Sequence, residues 1–332
     1  MESTSQPLVS VPVITYNSSK YIIETLESIK AQTYQNIELI VSDDCSKDNT
    51  VEICRKWIEE NKDRFVRSEI ITSDINTGVS ANGNRGREAC RGEWIKSIAG
   101  DDLLMPNCIT DCVDYINNVE NVVYLFGRHR VFGLTVDECE KINNNLDFTF
   151  YNLSISEQLH KLYERNCICA PACFYNRRKI EELNIYNDTR IPMLEDWPKW
   201  INVLKNNIKL HFINKDIVKY RIGSGLSTSK RKSLNYYRAC RLMHYYYLYP
   251  AWYAENPTIA IERSVDEDLQ VYKTLLDIEN KGSEGVCIER DELLNENQYL
   301  KKQLYIRTNS KAYKLGKFLL YPLNKIKSLL SL

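Results

Sequence analysis

The sequence has no surplus of either charge, no long apolar run and no export signal in its first residues. Lysine plus arginine number 44, as do aspartate plus glutamate, so the formal net charge is zero. Nucleic-acid-binding proteins usually carry a basic surplus, and we therefore expect no nucleic-acid partner. No window of about 20 residues is both apolar and uncharged, which predicts that no helix spans a membrane. The first ten residues lack a basic stretch followed by an apolar one, so we expect a cytoplasmic protein.

The eleven cysteines do not follow the spacing of a common metal site. In a cytoplasmic protein we expect them to be reduced thiols. The cluster Cys167, Cys169 and Cys173 has the spacing C-x-C-x3-C, and no histidine lies at ligand distance along the chain. This is not a usual zinc pattern, and we interpret these residues as small buried apolar side chains.

Apolar runs alternate with helical patterns between residues 8 and 126. The predicted strands cover residues 8–14, 37–42, 68–72, 93–98 and 121–126. Strands that alternate with helices predict an α/β fold with a mostly parallel sheet and helices on both faces. Ligands of such sheets bind at the carboxyl ends of the strands, which here are the loops 15–19, 43–47 and 99–103.

Two of these loops contain adjacent aspartates, Asp43–Asp44 and Asp101–Asp102. Neighbouring carboxylates repel each other, and a divalent cation that also binds phosphate oxygens would offset this repulsion. Alternatively, each pair caps the helix that follows it. Arg85 and the backbone amides near it, at the start of the third predicted helix, could contact phosphates. The residues alone leave these alternatives open.

Together these segments resemble the catalytic domain of family 2 glycosyltransferases. The resemblance is carried by LVSVPVITYNSSKYIIETLESIKAQTYQNIELIVSDDCSKDNT, NTGVSANGNRG and GEWIKSIAGDD, and it extends more loosely to about residue 228 through Glu195–Asp196 and Tyr220–Arg221. It implies a GT-A (Rossmann-like) fold and inverting transfer of a sugar from a nucleotide-diphosphate sugar to an acceptor hydroxyl. A nucleotidyltransferase is less consistent with the sequence, because the loop after the first strand, TYNSSKY, contains no glycine.

The resemblance also implies roles for individual residues. The residues that would bind the nucleotide sugar are Thr15, Tyr16, Asp44, Gly78, Asn84, Arg85 and Asp101. Asp101 and Asp102 match the family's metal-binding acidic element, which would hold Mg²⁺ or Mn²⁺ against the diphosphate. Asp196 matches the general base, with Glu195 as the second choice. Trp197 and Trp200, close to this pair, are predicted to form a platform for the acceptor.

The resemblance further predicts how the chain is organised. Residues 1–130 would bind the nucleotide sugar, residues 131–230 would bind the acceptor and carry the base, and residues 231–332 would be helical. Within the last part, residues 301–332 combine eight basic residues with apolar ones and contain no acid. A basic amphipathic segment predicts peripheral contact with an anionic membrane, at the inner face of the cytoplasmic membrane; the alternative is a helix docked on protein. A glycan or lipid-linked acceptor in surface or capsular polysaccharide assembly would fit this location.

Three positions depart from the family pattern. Ala99 stands where an aspartate is frequent, Ile14 where proline is frequent, and Ile222 follows Arg221 where many members have histidine. The loss of two groups that commonly serve metal binding keeps an alternative open. The chain could be a catalytically inactive protein that binds nucleotide sugars or serves as a scaffold. A processive polysaccharide synthase is disfavoured, because no membrane span and no Gln-x-x-Arg-Trp stretch is present.

Overall fold

The computed structural model of the chain describes residues 6–223, 234–258, 260 and 263. The chain divides into two compact units, Met1–Ile261 and Glu262–Leu332. Every helix and strand given below lies in the first unit. The basic segment 301–332 lies outside the described residues, so its predicted membrane contact stays a prediction. Among the described residues, no helix is long and apolar enough to cross a membrane.

The described strands form one nine-stranded mixed sheet. The strands are β1 (Val9–Thr15), β2 (Ile37–Asp43), β3 (Arg67–Thr72), β4 (Trp94–Ile95), β5 (Ile98–Ala99), β6 (Leu103–Leu104), β7 (Tyr124–Phe132), β8 (Cys173–Asn176) and β9 (Leu210–Arg221). Their order is β3-β2-β1-β4-β8-β7-β9-β6, and β5 pairs with β1. Pairing is parallel from β3 to β4 and between β7 and β9, whereas β8 is antiparallel to both of its neighbours. The predicted α/β fold with a mostly parallel sheet is confirmed.

Helices connect the strands. They are α1 (Ile22–Lys30), α2 (Thr50–Asn61), α3 (Val79–Glu88), α4 (Cys108–Asn118), α5 (Val136–Asn143), α6 (Ile155–Glu164), α7 (Arg177–Glu182), α8 (Asp196–Lys205), α9 (Leu234–Met243) and α10 (Tyr249–Glu255). In α1 the predicted apolar face, Ile22, Leu26 and Ile29, is fully buried. Burial of each such side chain contributes roughly 1.5–3 kcal/mol, which fixes α1 against the sheet.

Strands β1 and β2 are inner strands of the sheet, and nearly all their residues are buried. Parallel strands covered on both faces read as continuous apolar runs, and the sequences VSVPVIT and IELIVSD follow this rule. Because the two strands are short and rigidly held, the loops that follow them start from fixed positions. These loops carry the predicted donor-binding residues.

A second apolar core lies under α8, and it includes Trp200. This side chain is fully buried and packs edge-on against the rings of Tyr124 and Phe126 at 5.6 and 5.2 Å between centroids. The structure thus places Trp200 in the core, away from any surface on which an acceptor sugar could stack. The prediction that Trp200 forms part of an acceptor platform does not fit this burial.

Candidate active site

The carboxyl ends of β1, β2 and β5 lie side by side. The register pairs Thr15 with Asp43 and Ile14 with Ala99, so the loops after these strands begin at one level of the sheet. A Cβ on Gly100 would lie 2.8 Å from Cγ2 of Thr15, closer than side-chain atoms tolerate. Glycine at position 100 therefore allows the loop with the second aspartate pair to lie against the end of β1.

Asp44 is almost fully buried and binds the loop before α3. Its carboxylate accepts hydrogen bonds from the backbone nitrogen of Gly78 (2.7 Å) and the hydroxyl of Thr77 (2.6 Å). Nη2 of Arg85 donates to it as well, at 2.9 Å. Burial alone would raise the pKa of Asp44, but these hydrogen bonds outweigh it and hold the pKa below the usual range. Asp44 is thus a fixed negative charge that organises the loop.

Gly78 makes this loop geometry possible. Its φ of +85° lies in the region that residues with a Cβ rarely adopt. In addition, a Cβ there would lie 2.8 Å from Cβ of Pro192. The hydroxyl of Ser80 donates to the backbone oxygen of Ile191 at 2.6 Å, so the start of α3 is joined to the segment that leads to Glu195–Asp196. The predicted donor loop and the predicted base therefore lie in connected segments.

Arg85 and Asn84, both predicted donor residues, have different surroundings. Nη2 of Arg85 bridges Asp44 and Oδ1 of Asn82, each at 2.9 Å, and its Nε is buried without a hydrogen-bond partner among the described residues. Asn84 instead exchanges two hydrogen bonds with the backbone of Asn187, at 2.9 and 3.0 Å. Arg85 thus has an unused donor, whereas Asn84 supports a neighbouring loop.

Thr15 and Tyr16 follow β1. The hydroxyl of Thr15 donates to Oδ2 of Asp43 at 2.9 Å, and Thr15 is buried. The side chain of Tyr16 is 45% exposed, which leaves its ring accessible at the sheet edge. An exposed aromatic ring beside buried hydrogen-bonding groups suits stacking against a planar base.

Asp102 has a buried carboxylate oxygen that the protein does not use. Its Oδ1 accepts a hydrogen bond from the backbone nitrogen of Arg221 at 2.8 Å. Its Oδ2 is buried and has no hydrogen-bond partner among the described residues. Burial first, and the charge of Asp101 second, raise the pKa of Asp102 well above its usual range. An unsatisfied buried carboxylate oxygen beside a second carboxylate is the environment that a cation relieves.

Among the described residues, no three or more His, Cys, Asp or Glu side chains form a group that could hold a metal ion. A cation at Asp101 and Asp102 would therefore have two protein carboxylates at most. Mg²⁺ and Mn²⁺ accept this arrangement, because phosphate oxygens and water complete their coordination. The residues present fit a cation that binds together with a diphosphate.

Arg221, at the end of β9, supports the aspartate pair. Its Nε donates to the backbone oxygen of Asp101 at 2.8 Å, and its Nη2 donates to Glu24 at 2.7 Å. The guanidinium lies between the rings of Tyr21 and Phe132, 4.2 and 4.3 Å from their centroids. The Tyr-Arg pair is part of the sequence resemblance, but no local signal indicated this contact with residues 101 and 102.

Glu195 and Asp196 lie at the start of α8. Oδ2 of Asp196 accepts a hydrogen bond from Nδ2 of Asn166 (2.7 Å), and Oδ1 accepts one from the backbone nitrogen of Trp197 (2.8 Å). Burial, followed by the charge of Asp196, raises the pKa of Glu195 to about 7. Nε1 of Trp197 donates to the backbone oxygen of Leu162 at 2.7 Å, and the side chain is partly buried. Asn166 is a site residue that no sequence motif indicated.

The buried thiol of Cys169 is influenced by a carboxylate of each acidic pair. Burial is the largest cause that raises the pKa of Cys169, and the negative charges of Asp102 and Asp196 both add to it. Two carboxylates that act on the same buried thiol lie in its neighbourhood.

Comparison with known protein families gives a match over the N-terminal half of the chain. The model described as glycosyl transferase family 2 matches residues 10–183, which is more than half of the 332 residues. Among curated proteins, a Rickettsia felis protein described as an uncharacterized glycosyltransferase is 26% identical over 242 residues. The alignment covers 71% of this chain but only 37% of that protein.

Solved structures are similar in fold. S. aureus TarS in complex with UDP-GlcNAc aligns with 71% of this chain and 65% of its own, with a TM-score of 0.56 and 20% identity. The mannosyltransferase PcManGT from Pyrobaculum calidifontis, in complex with GDP-Man and Mn²⁺, covers 95% of this chain and 84% of its own, with a TM-score of 0.54 and 16% identity. At this level of identity the similarity concerns the fold.

Proposed function

Since the chain belongs to glycosyltransferase family 2, we propose that it transfers a sugar from a nucleotide-diphosphate sugar to an acceptor hydroxyl, with inversion at the anomeric carbon. One observation carries this proposal most strongly. The buried Oδ2 of Asp102 has no hydrogen-bond partner among the described residues, and it lies just after β5, beside the strand ends that carry the Asp44 loop. Burying a carboxylate oxygen without a partner costs stability, and a bound cation would offset that cost.

The donor would bind along the ends of β1 and β2. Tyr16 offers an exposed ring to the base, and Thr15 lies buried beside it. Asp44 already accepts several hydrogen bonds, so we assign it the role of holding Gly78 and Arg85 in place. The unpaired Nε of Arg85 is a charged donor of the kind that binds phosphate oxygens.

Asp101 and Asp102 would hold the divalent cation, Mg²⁺ or Mn²⁺. When bound, the cation would supply positive charge that offsets the negative charge developing on the leaving diphosphate. The unsatisfied Oδ2 of Asp102 supports this assignment, and Asp101 would also lie near the ribose. Arg221 holds Asp101 through its backbone oxygen and Asp102 through Oδ1 of its carboxylate, and so keeps the pair at the end of β5.

Asp196 would remove the proton from the acceptor hydroxyl. Asn166 and the backbone of Trp197 hold its carboxylate in one orientation, which a base that meets a positioned hydroxyl requires. Glu195 remains the second choice, because its pKa of about 7 allows it to hold or release a proton near neutral pH. Trp197, partly buried, would contact the acceptor.

The acceptor is proposed to be a glycan or a lipid-linked glycan in surface polysaccharide assembly, with residues 301–332 in contact with an anionic membrane. A second candidate function is an inactive nucleotide-sugar-binding protein or scaffold. Ala99 favours this second function, because alanine lacks the third carboxylate that an acid at this position would add to Asp101 and Asp102. The two functions differ in turnover and agree in nucleotide binding.

Turnover of a panel of nucleotide sugars, with and without Mn²⁺, tests the proposal. We expect at least one donor to be hydrolysed or transferred with Mn²⁺, and its turnover to fall about 10²–10⁴-fold in Asp196→Asn while donor binding, measured by calorimetry, is retained. Asp102→Asn should lose the turnover that Mn²⁺ supports in the wild type. Asp63→Asn, at an exposed position, is the matched control. Wild-type binding without any turnover would favour the scaffold, and normal turnover by Asp102→Asn would end the cation assignment.

A further inference from the structure

A polar cavity of about 340 Å³ lies beside the segment that leads to the proposed base. Its walls are the loop of residues 183–189, the C-terminal half of α8 and Tyr247. Asn202 and Asn206 lie six and ten residues after Asp196 on α8, so the cavity begins about 9 Å along the helix from Asp196. The loop separates the cavity from α3, and the cavity is therefore distinct from the donor site.

The charged group of this cavity is neutralised within the protein. Nη2 of Arg190 donates to Oδ2 of Asp188 at 2.6 Å, and Nε contacts both oxygens at 2.9 and 3.1 Å. The hydroxyl of Tyr247 also donates to Asp188, at 2.9 Å. These bonds hold the pKa of Asp188 below its usual range although burial acts in the opposite direction. The lining therefore has no excess charge that would select a phosphate or a metal ion.

Some neutral hydrogen-bonding groups in the lining have no partner among the residues that the structure describes. Among the described residues, no group bonds to the side-chain amide of Asn184 or to the hydroxyls of Tyr186 and Thr189. Oδ1 of Asn206 likewise accepts no bond, although its Nδ2 donates to the backbone oxygen of Asn202 at 2.8 Å. Amides and hydroxyls around a cavity whose one carboxylate is ion-paired can both donate to and accept from a ligand rich in hydroxyl groups.

The loop that forms one wall is held rigidly. The Asn84–Asn187 pair fixes it to α3, and Nη1 of Arg87 donates to the backbone oxygen of Ile185 at 2.7 Å. The guanidinium of Arg87 also stacks over the ring of Tyr186 at 3.7 Å. Such a preformed wall reduces the entropy lost when a ligand binds.

We propose that this cavity is a binding site for an uncharged segment of a saccharide chain, separate from the donor site. The inference rests on the proposed function, because a transferase that extends a glycan must hold the chain near its base. A site about 9–15 Å along α8 from Asp196 would retain sugar units that do not react. The neutral lining selects an uncharged chain, and the amides supply the hydrogen bonds to its hydroxyl groups.

Saturation-transfer NMR on the full chain without nucleotide tests this site. The probes are maltotetraose, cellotetraose and N-acetylchitotetraose. We expect at least one to bind, and Asn184→Gly to weaken its binding about fivefold, since one neutral hydrogen bond is lost. Glycine keeps the backbone geometry, because φ of Asn184 is +52°. Asn206→Leu should weaken binding similarly.

Asn207→Gly is the matched control. Asn207 is also exposed, has a φ of +56° and lies just after α8 without lining the cavity. Asn207→Gly should bind the saccharide probe with the affinity of the wild type. The inference is overturned if no probe binds, or if Asn184→Gly and Asn207→Gly behave alike. Donor turnover measured on the same samples separates the two proposals. Saccharide binding without turnover would refute the proposed enzymatic activity and support this site. Turnover without saccharide binding would support the activity and refute this site.

Discussion

The replacement of Glu195 by glutamine should change how stability depends on pH. Glu195 precedes α8, and burial together with the charge of Asp196 raises its pKa from 4.5 to about 7. In the unfolded chain the pKa returns to its ordinary value. Between pH 4.5 and 7 the folded protein therefore binds a proton that the unfolded chain has released. The resulting stability is present below pH 4.5 and is lost as the pH rises through 7.

The size of the effect follows from the two pKa values. A change between 4.5 and about 7 corresponds to about 3 kcal/mol, and partial exposure of Glu195 makes this an upper value. Glutamine stays neutral at every pH. The stability of Glu195→Gln relative to the wild type should therefore increase by up to about 3 kcal/mol from pH 4.5 to pH 8, with most of the change complete near pH 7.

Urea unfolding of the full chain at pH 4.5, 6, 7 and 8 measures this difference. Subtraction of the wild-type value at each pH removes the titration of all other groups. Glu59→Gln is the control, since the Glu59 side chain is 74% exposed, and its difference should be flat. In an Asp196→Asn background the transition should move to lower pH, because the second cause of the shift is removed. A pH-independent difference for Glu195→Gln would refute the reasoning.

Three further predictions concern residues that shape the site. Gly78→Ala should cost about 2–4 kcal/mol in thermal unfolding, because backbone strain adds to a clash with Pro192. Gly223→Ala should cost about 1 kcal/mol, because φ there is +91° but the added Cβ would come no nearer than 3.8 Å to Leu134. Equal losses in the two variants would exclude the clash. Arg221→Met should lower the free energy of unfolding in urea by about 3 kcal/mol. Arg221→Lys should restore less than half of this loss, because only arginine can bond to both Asp101 and Glu24. Full restoration by lysine would contradict this explanation. Asn166→Ala should lower kcat about tenfold without changing the KM of the donor, and an increase in KM alone would count against a role in orienting the base.

The sequence predicted much of the fold through periodicity. Alternation of apolar runs and helical patterns located β1, β2 and the apolar face of α1, because those features depend on neighbours along the chain. The predicted strand 93–98 is instead two short strands, Trp94–Ile95 and Ile98–Ala99, with Lys96 fully buried between them. Nζ of Lys96 donates to the backbone oxygen of Ser97 at 3.2 Å, and it also bonds the oxygen of Pro171. Such a distant partner leaves no trace in local periodicity.

The site could be predicted only in part for the same reason. Asp44 and Asp102 follow strands, and sequence position alone brings them to the sheet edge. The contacts of Arg221 with residues 101 and 102 join positions 119 and 120 apart, which no spacing rule indicates. Trp200 illustrates the opposite case: it shares a helical face with the buried Ile201 and Leu204, and this pattern already indicated a core position.

The loop between Ile185 and Pro192 contacts α3 on one side and lines the proposed saccharide cavity on the other. A ligand that restricts this loop also restricts the start of α3, where Gly78 contacts Pro192. Thermodynamic linkage then requires reciprocity: whatever factor a bound glycan adds to the affinity for the nucleotide sugar, the nucleotide sugar adds to the affinity for the glycan. If this factor exceeds one, the proposed saccharide would bind more tightly while the nucleotide sugar is bound; if it is below one, the nucleotide sugar would speed its release.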